Sequence, residues 1–228
     1  MGLVTVIIAG ATMVIAASLA YGIKKYQEVR QKNEEILSAT ISLCIENKAL
    51  QESLNAYAET YSLENPDREL AIRLKNKIYE LFGDGVKREF EKRKTLQEKQ
   101  IFAQYVIREL INSIGVKVDF IEFDYENMDG AFGETKIDAN NNVIVTLNEV
   151  LLVDDPVQLL KTACHELKHC VQIQSLTNNV WGYSSKRIAE YLYSWEHYVS
   201  PSSIECAEAY EKQIIEIDAN KFVDIIFY

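Results

Sequence analysis

Residues 154–173 read DDPVQLLKTACHELKHCVQI, a helix-start signal followed by an apolar repeat and two histidines four residues apart. Asp154-Asp155-Pro156 supplies the start: an acidic cap, then a proline whose fixed φ suits a first helical turn. Leu160, Cys164, Leu167 and Val171 recur at i, i+4, i+7 and i+11, which makes them one apolar helix face. His165 and His169 lie on a different face. Four residues apart on a helix they stack one turn above the other, so two imidazoles can reach one ion at about 2.0–2.1 Å. Glu166 projects beside them, placed to take a proton from water without being a ligand itself. The pattern is His-Glu-x-x-His, and it uses two of the chain's three histidines.

A tetrahedral catalytic zinc takes three protein ligands and leaves one position open for water. The candidate for the third is Glu216 in Glu216-Ile217-Asp218-Ala219-Asn220. On this C-terminal helix Ile204, Ala207, Ile215, Ala219, Phe222 and Ile226 form the apolar side, and Gln213, Glu216 and Asn220 line a separate stripe. Asp218 lies about 200° round from Glu216, so the two carboxylates cannot face one ion from the same helix. The bland alternative for Glu216 is a solvated helix carboxylate.

These two motifs resemble those of the gluzincin metallopeptidases, in particular the minimal single-domain forms. In that family an HExxH helix is followed by a second helix carrying Glu-x-x-Ala-Asp or Glu-x-x-Ala-Asn. The likeness covers about residues 95–228. It implies an α+β, zincin-like catalytic domain with a small mixed or antiparallel sheet and active-site helices. It implies Zn2+ on His165, His169 and Glu216, with Asn220 hydrogen-bonded to a ligand histidine from outside. Two features depart from the pattern. Asn220 stands where many members have Asp, which would make its histidine less basic, and Glu216 follows His169 by 47 positions, an insert that leaves the shape of the cleft open.

The insert holds Trp181, Tyr183, Tyr191, Tyr193, Trp195, His197 and Tyr198. Aromatics at helical spacing are more often core than cleft, though these could also line a substrate groove or form a lid. A zinc peptidase needs a second electrophile beside the metal, and His197 and Tyr210 are the residues available as transition-state donors. The resemblance also puts Gly130–Ile137 at the edge of the sheet, where an extended peptide could pair with it.

Outward from the site, Val116–Phe123 alternates as a half-buried strand and Val143–Leu147 is short and β-branched, with an Asn-rich turn at Asp138–Asn142 before it. Helices are expected from the Asn65-Pro66-Asp67 break to about Phe82, and from roughly Thr95 to Ser113 with Gly115 as stop. Residues 66–228 are thus the catalytic domain, preceded by a helical stalk over 24–65 and a membrane segment within 1–23. Residues 3–23 carry no charged side chain and run about 30 Å as a helix, enough to cross a bilayer. A cleaved signal peptide is the competitor, since Ser18-Leu19-Ala20 resembles a cleavage site, but the basic leader such peptides carry is missing. Lys24, Lys25, Arg30 and Lys32 all follow the segment, which points the C-terminal part toward the cytoplasm.

The formal net charge of −10 over 228 residues provides no basic footprint for nucleic acid. Four cysteines without a C-x-x-C pair read as reduced thiols rather than a disulfide framework. The expected activity is zinc-dependent hydrolysis of a peptide or protein substrate, with Glu166 as general base. The rival is a membrane-tethered zincin-fold binding protein without turnover. Intact Glu166 argues against it, because a structural site needs no base and closes with four protein ligands. A zinc hydrolase acting on something other than peptides is a third reading that no sequence feature excludes.

Overall fold

Helix α1, Asn65–Phe82, begins where the sequence breaks, with Pro66 in its first turn, and ends at Gly83, whose φ of +54° few other residues tolerate. Leu70, Leu74, Ile78 and Phe82 give it one buried stripe. The computed structural model describes residues 62–83, 85–125, 128, 131–199 and 210–228, all within the unit Thr60–Tyr228. The anchor expected at 3–23 and the stalk as far as residue 61 fall outside the described residues. Among the described residues no helix is long and apolar enough to cross a membrane.

A short α2, Val86–Glu91, leads to α3, Leu96–Ile114. Thr95 and Glu98 form a reciprocal capping box at the start of α3, and Gly115 closes it in the left-handed region at φ +69°. Three strands follow: β1 Phe120–Asp124, β2 Gly133–Ile137 and β3 Val143–Asn148. Their order is β1-β3-β2, with β1 parallel and β2 antiparallel to β3, so the sheet is mixed and β2 forms one edge. Regular pairing of β1 begins only at Phe120. The expected earlier start at Val116 reflects a lead-in whose Val116 and Val118 are buried and which meets β3 through Asp119, whose N–H donates to Val143 O (2.9 Å) and whose carboxylate accepts from Val143 N–H (2.8 Å). The β2–β3 turn is held by the Asp138 carboxylate, which accepts from Asn140 and Asn142 main-chain N–H, with Asn141 at φ +62°.

After the short α4, Leu151–Asp154, come α5 Pro156–Thr177, α6 Ser185–Glu196 and α7 Ile214–Phe227. The Asp155 carboxylate caps α5 by accepting from Val157 and Gln158 N–H. Helix α5 packs on β2 and β3 and also against α6 and α7, while α7 packs on α1 and α1 on α3. This central position buries Leu159, Leu160, Ala163, Cys164, Leu167, Cys170 and Val171 completely. Each such leucine stabilises the fold by about 1.5–3 kcal/mol. Cys164 and Cys170 are free thiols pushed well up by burial, whereas Cys44 and Cys206 are outside the described residues. The architecture is α+β, as the sequence suggests.

Candidate metal centre

Helix α5 presents His165 and His169 toward the first turn of α7, where Glu216 sits. His165 Nε2 and His169 Nε2 are 3.0 Å apart, and Glu216 places Oε2 3.2 Å from His165 Nε2 and Oε1 3.4 Å from His169 Nε2. Donors about 2.0–2.1 Å from a tetrahedral ion stand roughly 3.3 Å from one another. The three residues therefore form a group that could hold a metal ion. His169 and Glu216 are buried while His165 is partly open to solvent. Burial opposes the Glu216 charge, but hydrogen bonds with His165 and His169 outweigh it and hold the carboxyl below the usual carboxylate range. Burial likewise works against a proton on His169, yet the hydrogen bond and charge of Glu216 carry that ring up to about 9.

Glu166 lies outside this ligand group but lines the same cleft as His165. It is buried, and its Oε2 is 2.8 Å from the Thr135 hydroxyl on β2. Gly133, at the start of that strand, passes so close that a Cβ there would meet Glu166 Oε1 at 2.8 Å. The edge strand is thus in direct contact with the glutamate. The cleft has a volume of about 570 Å³ and is bordered by Phe132, Gly133, His165, Glu166, Tyr210 and Asn220.

Of the two donors expected from sequence, Tyr210 is at the site and His197 is not. The Tyr210 hydroxyl is raised by burial and then by the charge of Glu216, to which it is hydrogen-bonded. His197 instead caps α6, donating from Nδ1 to Tyr193 O (2.9 Å) and stacking on the Tyr193 ring. Its place is corrected to a helix end, because the chain leaves α6 there and turns the ring back on its own helix. Asn220 is corrected as well. It borders the cleft but is exposed and bonded to neither histidine, since α7 turns that stripe outward one turn beyond Glu216.

The outer partner of His169 is Gln172, whose Oε1 accepts from His169 Nδ1 (2.8 Å). Spacing of i+3 on one helix makes Gln172 a neighbour of His169, so this contact was legible in the sequence. A buried ionic cluster lies behind it. Lys168, wholly buried, has its Nζ 2.6 Å from Asp67 Oδ1, 2.5 Å from Asp218 Oδ2 and 2.9 Å from the Tyr191 hydroxyl. Burial opposes the ammonium charge, but Asp218, Tyr183 and Asp67 overcome that and hold its pKa above the ordinary lysine value. Asp218 does face away from Glu216, as the helical angle requires.

The aromatic insert divides. Tyr183 and Tyr191 are core, and Trp181 packs against the core and donates from Nε1 to Ile114 O. Trp195 instead meets the His169 ring edge-on at 5.6 Å and stacks on Tyr198. Tyr198 is hydrogen-bonded to Tyr210, and its hydroxyl is pushed up to about 12 by burial and the Glu216 charge. Compared with models of known protein families, with curated proteins and with solved structures, the chain finds no match.

Proposed function

We propose that the protein is a zinc-dependent metallopeptidase of the gluzincin type with a zincin-like fold, tethered to a membrane by residues 3–23 with its catalytic domain in the cytoplasm. The observation that carries this reading is the convergence of His165, His169 and Glu216, with Glu166 outside the ligand group yet facing the same cleft. Two imidazoles and one carboxylate are a donor set suited to zinc with an open position. Bound there, zinc would supply Lewis acidity, lowering the pKa of a water to about 7 and polarising a carbonyl.

The chain's own residues supply the rest. Glu166 takes the proton of the attacking water and returns it to the leaving amine, and the Thr135 hydroxyl holds the carboxylate in place for both transfers. Tyr210 is the donor available to the oxyanion that develops at the carbonyl. Among the described residues β2 stands at a sheet edge, where an extended peptide could pair with it and enter the cleft beside Phe132 and Gly133.

Glu166→Gln tests the reading because it keeps side-chain size and all three ligands but removes the base. The variant is expected to hold near-stoichiometric zinc and to lose 10²–10⁴-fold in cleavage of an unstructured protein such as casein, about 3–5 kcal/mol of barrier. His165→Ala is expected to lose both metal and activity. A wild type that binds zinc and cleaves nothing across a broad peptide library would instead indicate a tethered zincin without turnover.

A further inference from the structure

We propose that Gln172 is a positioning residue that fixes the proton of His169 on Nδ1, and that Asp218 locks Gln172 in the orientation this requires. The inference rests on the metal centre proposed above. Gln172 is completely buried, and its Nε2 lies 3.0 Å from Ile215 O and 3.0 Å from Asp218 Oδ2. Both neighbours are acceptors there: one is a carbonyl, and the other is a carboxylate oxygen that also receives Lys168 Nζ and the Tyr191 hydroxyl. A flipped amide would put its oxygen against both of them, so the amino group must face α7 and Oε1 must face His169.

Oε1 can only accept. The His169 Nδ1 2.8 Å away therefore donates, and a neutral imidazole then presents a bare Nε2 toward His165 and Glu216, where a metal needs a lone pair. The outer partner that zinc-ligating histidines commonly find in a carboxylate or carbonyl is here a side-chain amide held from a second helix. Its fixed point is the buried ion pairing of Asp218 on α7 with Lys168 on α5. Lys168 sits between the two histidines in sequence, about 100° round α5 from His169 and one turn before Gln172. Its charge thus neutralises Asp218 next to the amide that Asp218 holds.

The full-length chain with Gln172→Met tests this, because methionine keeps the length and volume while removing the acceptor. Two readouts are needed: zinc affinity by competition with a chelator, and the His169 Nδ1–H resonance from long-range proton–nitrogen correlations of the zinc-loaded protein. Zinc affinity is expected to fall about 10–100-fold, and the Nδ1–H resonance, held downfield by the hydrogen bond to Gln172 in wild type, should move upfield. Gln172→Asn has the same amide on a shorter stem that cannot span His169 and Asp218, and it must show the loss should the methionine variant fail to fold. Unchanged zinc affinity in a folded Gln172→Met whose melting temperature has dropped would reduce Gln172 to a packing role and overturn the inference. Wild type that takes up no zinc would overturn the metal centre itself, and this inference with it.

Discussion

Gly133→Ala probes the contact between the edge strand and the proposed base without touching a metal ligand. A Cβ at position 133 would stand 2.6 Å from Thr162 Cγ2 and 2.8 Å from Glu166 Oε1, where ordinary contact begins at 3.4 Å. The neighbours must therefore retreat by about 0.8 Å at Thr162 and 0.6 Å at Glu166. Neither moves freely: Thr162 is on the central helix, and the Glu166 carboxylate is hydrogen-bonded to Thr135. Overpacking of this kind costs about 1–3 kcal/mol, or roughly 2–12 °C in melting temperature for a domain of this size. A base displaced by more than half an ångström should lose roughly 10–100-fold in kcat/KM, since errors of about 1 Å cost about 10²-fold. The zinc content should not change. Thermal melting, metal analysis and casein cleavage of the purified variant read the three effects separately. A variant that melts and cleaves like wild type would refute the close packing of β2 on Glu166.

Lys168→Met should take the ammonium away from the buried carboxylates of Asp67 and Asp218, and is expected to cost about 3–5 kcal/mol in denaturant unfolding, far more than a surface lysine. Tyr210→Phe should keep zinc and structure while kcat falls about 10-fold or more, whereas His197→Ala should cleave within about twofold of wild type, since only Tyr210 reaches the site. Equal losses for the two would show that Tyr210 has no special part in the reaction. Residues 3–23 should keep the protein with membranes through carbonate washing, and a protease added outside intact cells should spare the C-terminal domain. A soluble product beginning near Tyr21 would favour a cleaved signal peptide.

What the sequence determined by itself was local. Caps, breakers and a 3.6-residue period were enough to delimit α1 and α3 and to place the start of α5, to put both histidines on one face of α5, and to turn Glu216 and Asp218 to opposite sides of α7. These features follow from helix geometry within a few turns, and no distant residue alters them. Tertiary structure decided the rest, because periodicity says which way a side chain points and not what lies opposite. The Asp67–Lys168 pair spans 101 positions, and only the packing of α1, α5 and α7 brings it together. The same packing left Asn220 in solvent, set Ile215 and Asp218 of α7 against the Gln172 amide, and selected Tyr210 while His197 folded back on its own helix. Edge strand β2 reached Glu166 through the antiparallel register of Gly133 with Leu147. Strand register and interhelical contact are collective outcomes of burying one core, and a single sequence carries them only implicitly.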